Sequence, residues 1–164
     1  IFIFVVPMIA FPNISPEIFS FEFLGISFAL RWYAVSYLLG FFCALRLMKF
    51  FVARNFFWTA EKPPFSSDQA ESFLTYLIVG VIIGGRLGYV IFYNFDYYAL
   101  NPVDVLRIWD GGMAFHGGFI GVVIAVILFS LSNSLPLWST SDLIAVSTPP
   151  GLFFGRIANF INAE

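Results

Sequence analysis

The chain has 164 residues, 60% of them hydrophobic and 11% charged, with a formal net charge of −2. A soluble domain is about half apolar and a quarter charged, so this composition excludes an ordinary water-soluble fold and defines an integral membrane protein. Nucleic-acid binding would need a basic patch, which is lacking, and one cysteine, Cys43, allows neither an internal disulfide nor a thiolate metal cluster.

Residues 1–6 are apolar and halted by Pro7. They lack a basic n-region and a small-residue cleavage site, so they do not read as a signal peptide. Residue 1 is Ile, and the chain stops on Glu164 inside a polar-studded segment, so a fragment cut at both ends is expected. Pro12, Pro16 and Gly25, followed by alternating Ile26, Phe28 and Leu30, predict turns and a short extended or interfacial stretch. The expected fold class is all-α. It is a polytopic transmembrane helical bundle forming a single integral membrane domain, with short interfacial helices on the outer side. Four spans of roughly the ~20 residues a bilayer requires are expected, at about 32–51, 72–93, 115–131 and 142–162.

The first loop carries Arg46, Lys49, Arg54 and Lys62, then Pro63-Pro64. Asp68-x-x-Glu71 or Ser66-x-x-Gln69 offers a capped start for the second span. Asn101-Pro102-x-Asp104 predicts a short interfacial helix over 103–109, ended by Asp110-Gly111-Gly112 and flanked by Tyr97, Tyr98 and Trp109 as belt residues. Four basic residues in the first loop against Arg31 alone before it place that loop in the cytoplasm and the N-terminus outside. Tyr33, Arg86, His116, Arg156, Asn159 and Glu164 are then expected to converge on the outer half of the membrane.

Gly80, Gly84 and Gly88 recur every four residues, as do Gly117 and Gly121. This spacing predicts close helix packing. Pro149-Pro150-Gly151 predicts a break in the last span, with a half-helix starting near Leu152 whose free N–H groups favour anions. Arg86 and Arg156 are the arginines inside spans, and intramembrane charge is retained mainly for a site or a pair. A guanidinium fork suits lipid phosphate, and equally an ion pair with Glu164 or a loop aspartate. Asn159 and Asn162 suit substrate hydroxyls or helix bridging. His116, the one histidine, titrates in the range of a general base. Cys43 lies within an apolar run and reads as a small buried hydrophobe. A non-enzymatic lipid-binding scaffold or small transporter is the alternative class, since transporters also use broken helices.

Four motifs together resemble the prolipoprotein diacylglyceryl transferase family. They are Arg31-Trp32-Tyr33, Gly84-Gly85-Arg86-Leu87-Gly88-Tyr89, the run from Trp109 to Gly118, and the terminal Gly-Arg-x-Ala-Asn-Phe-x-Asn-x-Glu of residues 155–164. The likeness covers nearly all of the chain from Pro16 onward. It implies a bacterial inner-membrane enzyme that transfers diacylglyceryl from phosphatidylglycerol to the lipobox cysteine of a prolipoprotein signal peptide. A thioether forms and glycerol phosphate leaves, without metal or organic cofactor. By the same resemblance, Arg156 matches a phosphatidylglycerol-binding arginine, Asn159 and Glu164 match important polar residues, and Tyr33 matches an essential tyrosine. His116 matches the proposed base, and Arg86 supports the headgroup or a structural pair. Ala158 and Ala163 stand where the family usually has glycine, each adding a methyl to a tight region. Family members continue past this glutamate with further helices, so the fragment alone is expected to be inactive.

Overall fold

The computed structural model describes residues 14–23, 26–58 and 62–162, and for residues 21–23 and 26–28 the backbone alone. Pro7, Pro12, Gly25, Ala163 and Glu164 therefore lie outside the described residues, as do the side chains of Ile26 and Phe28. The chain divides into two compact units. One holds the described residues up to Phe42 and those from Pro149 onward, and the other runs from Cys43 to Thr148.

The first unit opens with an antiparallel hairpin, β1 (Glu17–Phe23) and β2 (Ile26–Arg31), with Glu17 opposite Arg31 and Phe21 opposite Phe28. The alternation in the second strand predicts extended backbone. The first strand, Glu-Ile-Phe-Ser-Phe-Glu-Phe, carries the same period of two, and with it the stretch becomes a paired ladder. Helix α1 (Trp32–Val52) comes directly after. Trp32 donates to the chain before the hairpin twice, from its amide to Pro16 O at 3.2 Å and from Nε1 to Ser15 O at 3.1 Å.

In the second unit, the end of α1 leaves carbonyls unpaired, as every helix does. Arg54 Nη1 donates to Phe50 O at 3.0 Å and Trp58 Nε1 to Phe51 O at 3.1 Å. Helix α2 (Gln69–Tyr93) starts from the predicted Ser66/Gln69 capping box. Ser66 N donates to Gln69 Oε1 at 3.0 Å, and Gln69 N to Ser66 Oγ at 3.3 Å. A short helix α3 (Phe95–Leu100) and two 3-10 turns, Pro102–Leu106 and Ile108–Asp110, lead to α4 (Phe115–Ser132). The helix expected over 103–109 is thus two 3-10 turns, and Asn101 does not cap it. Its Nδ2 donates backward to Tyr97 O at 3.0 Å, closing α3.

Phe65, Phe73 and Phe129 form the aromatic centre of this unit's core, with ring centroids 4.8 to 5.7 Å apart. Met48, Leu77 and Leu143 are buried around them. Toward the other end of α2 the side chains shrink to hydrogen. Helices α2 and α4 are antiparallel there, with Gly80 and Gly84 against Gly121 and Gly88 against Gly117. A Cβ built on Gly88 would stand 2.6 Å from Gly117 Cα, and one on Gly121 would strike the Gly80 carbonyl.

Helices α1, α2 and α4 are each long and apolar enough to cross a membrane. At 1.5 Å per residue they extend about 27 to 38 Å, against a hydrocarbon core of ~30 Å. The fourth expected span is instead two shorter helices, α5 (Leu137–Ser147) and α6 (Pro149–Ile161), separated by Thr148. Pro149 and Pro150 would have to donate to residues 145 and 146, and they carry no N–H. The break therefore falls at Thr148. Helix α6 starts three residues before the predicted Leu152, and two of its four free N-terminal positions are prolines without a donor.

Adding a methyl at the α2–α4 contact forces backbone apart. Gly121→Ala is expected to cost ~1–3 kcal/mol, whereas Gly155→Ala, which meets nothing within 4 Å, is expected to be neutral or stabilising. Thermal unfolding of the two variants in detergent micelles checks this contrast.

Candidate functional site

The first unit holds three of the predicted polar residues on two facing helices. Gly40 of α1 meets Gly151 of α6, where an added Cβ would lie 3.0 Å from the Gly151 Cα. Seven residues earlier on α1 and eight later on α6, Tyr33 Oη donates to Asn159 Oδ1 at 2.5 Å. The two helices therefore run antiparallel, and the hydroxyl joins groups 126 residues apart in sequence. Tyr33, Ser36 and Gly40 share one face of α1 at helical spacing, and Ser36 is buried. The rings of Tyr33, Tyr37 and Phe41 succeed one another at 5.7 and 6.3 Å.

Ala158 is fully buried on α6, so the methyl that replaces a usual glycine sits inside the packing. Arg156 projects from the same helix, exposed, with no ion pair or hydrogen bond among the described residues. Asn162, just past α6, lines an open groove of about 410 Å³ with Ser15, Pro16, Glu17 and Arg31. The Arg31–Glu17 ion pair spans 3.5 Å there. Glu164 lies outside the described residues.

Arg86 and His116 belong to the second unit. Arg86 is 4% exposed, and its guanidinium is surrounded by main-chain oxygens. Nε donates to Val105 O at 2.8 Å and Nη2 to Asp104 O at 2.7 Å. Nη1 donates to Gly111 O at 2.5 Å and Gly112 O at 3.2 Å. The Tyr98 ring lies beneath it, 5.1 Å from centroid to Cζ, so Tyr98 is a cation–π partner and not only a belt residue. Gly111 and Gly112 have φ of +86° and +80°, a conformation that favours glycine, and it turns their carbonyls toward the arginine. These carbonyl partners are not visible in the sequence, where the Gly-Gly pair is the one available signal.

His116 occupies the second position of α4, exposed, with its ring edge-on to Phe115 at 5.8 Å. With Phe92, Tyr93 and Ala114 it lines an open, largely apolar groove of about 430 Å³. Nearby, Tyr97 Oη donates to Asp104 Oδ2 at 2.6 Å, and Arg107 pairs with Oδ1 of the same carboxylate at 3.3 Å. The hydrogen bond to Asp104, and then its negative charge, push the Tyr97 phenol above its ordinary value. Cys43 is half-buried on α1.

Helices with outward apolar faces, glycine-stripe packing and polar groups held at helix contacts define a polytopic helical membrane protein. The family model for prolipoprotein diacylglyceryl transferase matches residues 20–164, and the chain belongs to that family. A phosphatidylglycerol–prolipoprotein diacylglyceryl transferase of Cereibacter sphaeroides is 51% identical over 156 residues, 95% of this chain and 77% of the relative. The proteins of that name from Ruegeria pomeroyi and Brucella anthropi are 51% and 42% identical over 94% and 95% of this chain. The chain spans 52% and 54% of those two, about half the length of most curated relatives it matches.

Tyr33→Phe and Asn159→Ala are each expected to destabilise the fold, with a coupling of about 1 kcal/mol in a double-mutant cycle, read by thermal unfolding. The Tyr97 phenol is the proton donor to Asp104, so its pKa is higher folded than unfolded. Its contribution is present below the ordinary tyrosine range and lost as pH rises through the raised value. Ultraviolet difference titration should show a late-ionising tyrosine that Asp104→Asn returns toward the others.

Proposed function

We propose that the protein transfers the diacylglyceryl group of phosphatidylglycerol to the thiol of a prolipoprotein's lipobox cysteine, in the bacterial inner membrane, as the first step of lipoprotein maturation. The observation that carries this reading is the Tyr33–Asn159 hydrogen bond. It ties the Arg-Trp-Tyr motif at the start of α1 to the terminal Gly-Arg-x-Ala-Asn-Phe motif on α6, with Arg156 one turn before Asn159. Membership of the family supports the reaction, and the basic residues of the first loop support a periplasmic N-terminus.

Each group has a chemical task. Arg156 offers an uncovered planar fork to the headgroup phosphate and stabilises the charge that collects on it as the ester breaks. Asn159, held by Tyr33, presents its amide N–H groups in a fixed orientation, since its oxygen is already accepting. Glu164 completes the polar set of the terminal motif. His116 accepts the proton of the substrate thiol. The thiolate sulfur attacks the glyceryl carbon that bears the phosphate, a C–S bond forms, and the C–O bond breaks. Its electron pair leaves on the phosphate oxygen as glycerol phosphate. The acceptor thiol belongs to the substrate, which leaves Cys43 without a chemical role.

The test uses the full-length parent protein, reconstituted in phosphatidylglycerol vesicles with a lipobox peptide. Arg156→Ala and Asn159→Ala are expected to lower thioether formation by at least ~10²-fold at unchanged membrane expression. Normal rates in both variants would sink the assignment of the site.

A further inference from the structure

A buried guanidinium is tolerated where fixed acceptors replace water around its N–H groups. Arg86 has four such acceptors, and all are carbonyls of one connecting segment. Its Nε/Nη2 edge takes the paired carbonyls of Val105 and Asp104, and Nη1 takes Gly111 and Gly112. The planar fork therefore holds two separate stretches of the loop at once. Among the described residues no carboxylate pairs with it, and that of Asp104 is occupied by Tyr97 and Arg107. Main-chain carbonyls cannot swing aside as a side chain can, so each bond fixes a peptide plane.

The next residues are pinned to the same turn of α2. Ala114 N donates to Gly85 O at 2.9 Å. The Met113 methyl lies where a Cβ on Gly85 would come within 2.7 Å of it. Phe115 and His116 then open α4. Gly112 is confined as well, since a Cβ there would lie 2.5 Å from the Tyr89 ring and 2.9 Å from Arg86 Nη1. Asp104–Val105 and Gly111–Ala114 are thus held against residues 85–89 of α2.

We propose that Arg86 is a positioning residue: its guanidinium clamps residues 104–112 and so fixes the first turn of α4, where His116 borders the groove with Phe92, Tyr93 and Ala114. It acts through the backbone and not on the headgroup phosphate, because its donors already face carbonyls. The inference rests on the transferase reading for the task of His116, and on geometry alone for the clamp.

Three variants of the full-length parent protein in phosphatidylglycerol nanodiscs test it: Arg86→Gln, Arg86→Lys and Gly111→Ala. Lysine keeps the charge but donates from a single atom and cannot reach both pairs of carbonyls. Gly111→Ala meets no neighbour within 4 Å, so it disturbs an acceptor's backbone without touching the arginine. Amide hydrogen exchange across residues 102–114 is expected to rise by ~10-fold or more in all three, while the amides near Phe73 and Leu77 stay protected. The transfer kcat is expected to fall about 10²-fold, with KM for phosphatidylglycerol within about twofold. Should Arg86→Gln fail to insert, the other two variants carry the same readouts. Unchanged exchange in the loop, or a raised KM with kcat retained, overturns the proposal, the latter marking Arg86 as a headgroup ligand. Increased exchange in a protein whose parent chain transfers nothing from phosphatidylglycerol supports the clamp and removes the transferase reading instead.

Discussion

From Gly80 to Gly88, the contact of α2 with α4 is made of backbone. Inside a bilayer the hydrophobic effect does not drive one apolar helix onto another, because lipid tails are as apolar as leucine. Attraction must come from dispersion and weak polar contacts, and both fall steeply with distance. Glycines 80, 84 and 88 against 117 and 121 remove the side chains that would hold the axes apart. Bulky residues beside these glycines face outward, with Ile83, Leu87 and Ile91 on α2 and Phe119, Ile124 and Leu128 on α4 exposed.

That close approach dictates the path of the segment between the two helices. With α4 seated on α2, the carbonyl of Gly85 is within reach of the Ala114 amide. The connecting segment must then fold back over the last three turns of α2, which brings its carbonyls above Arg86. A looser helix pair would leave the arginine buried without acceptors or exposed to lipid, and either state is costly. The clamp and the glycine stripe are therefore two parts of one device. One sets the distance between helices, and the other ties down the loop that the distance permits.

Much of this was legible in the amino-acid sequence because it is periodic or local. The apolar runs that became α1, α2 and α4, the Ser66/Gln69 cap and the four-residue glycine spacing each have a one-dimensional signature. The partners of Arg86 have none, since any residue supplies a carbonyl and its direction is set by φ and ψ. Asn101-Pro102 misled for a related reason. The same residues can cap the helix before or begin one after, and tertiary demand on the Asp104 and Val105 carbonyls decided between them. Helix α3 is six residues long, too short to show a period. The hairpin strand Glu17–Phe23 did carry its alternation, but beside two prolines and a membrane-like composition it reads as irregular.

Arg86 and Arg156 illustrate why residue type alone cannot assign a ligand. In sequence, Arg86 and Arg156 are equals: each comes after a glycine and lies in an apolar segment. Their surroundings separate them. A buried guanidinium with four carbonyl bonds would have to surrender those bonds to accept a phosphate, and the carbonyls left behind would lose their own partners. An exposed guanidinium on α6 surrenders only water. On the proposed reading, a phosphate therefore displaces fewer protein bonds at Arg156 than at Arg86, although the charge and the fork are the same. Phosphate recognition on that reading falls to the exposed Arg156, and the buried Arg86 serves to shape the chain.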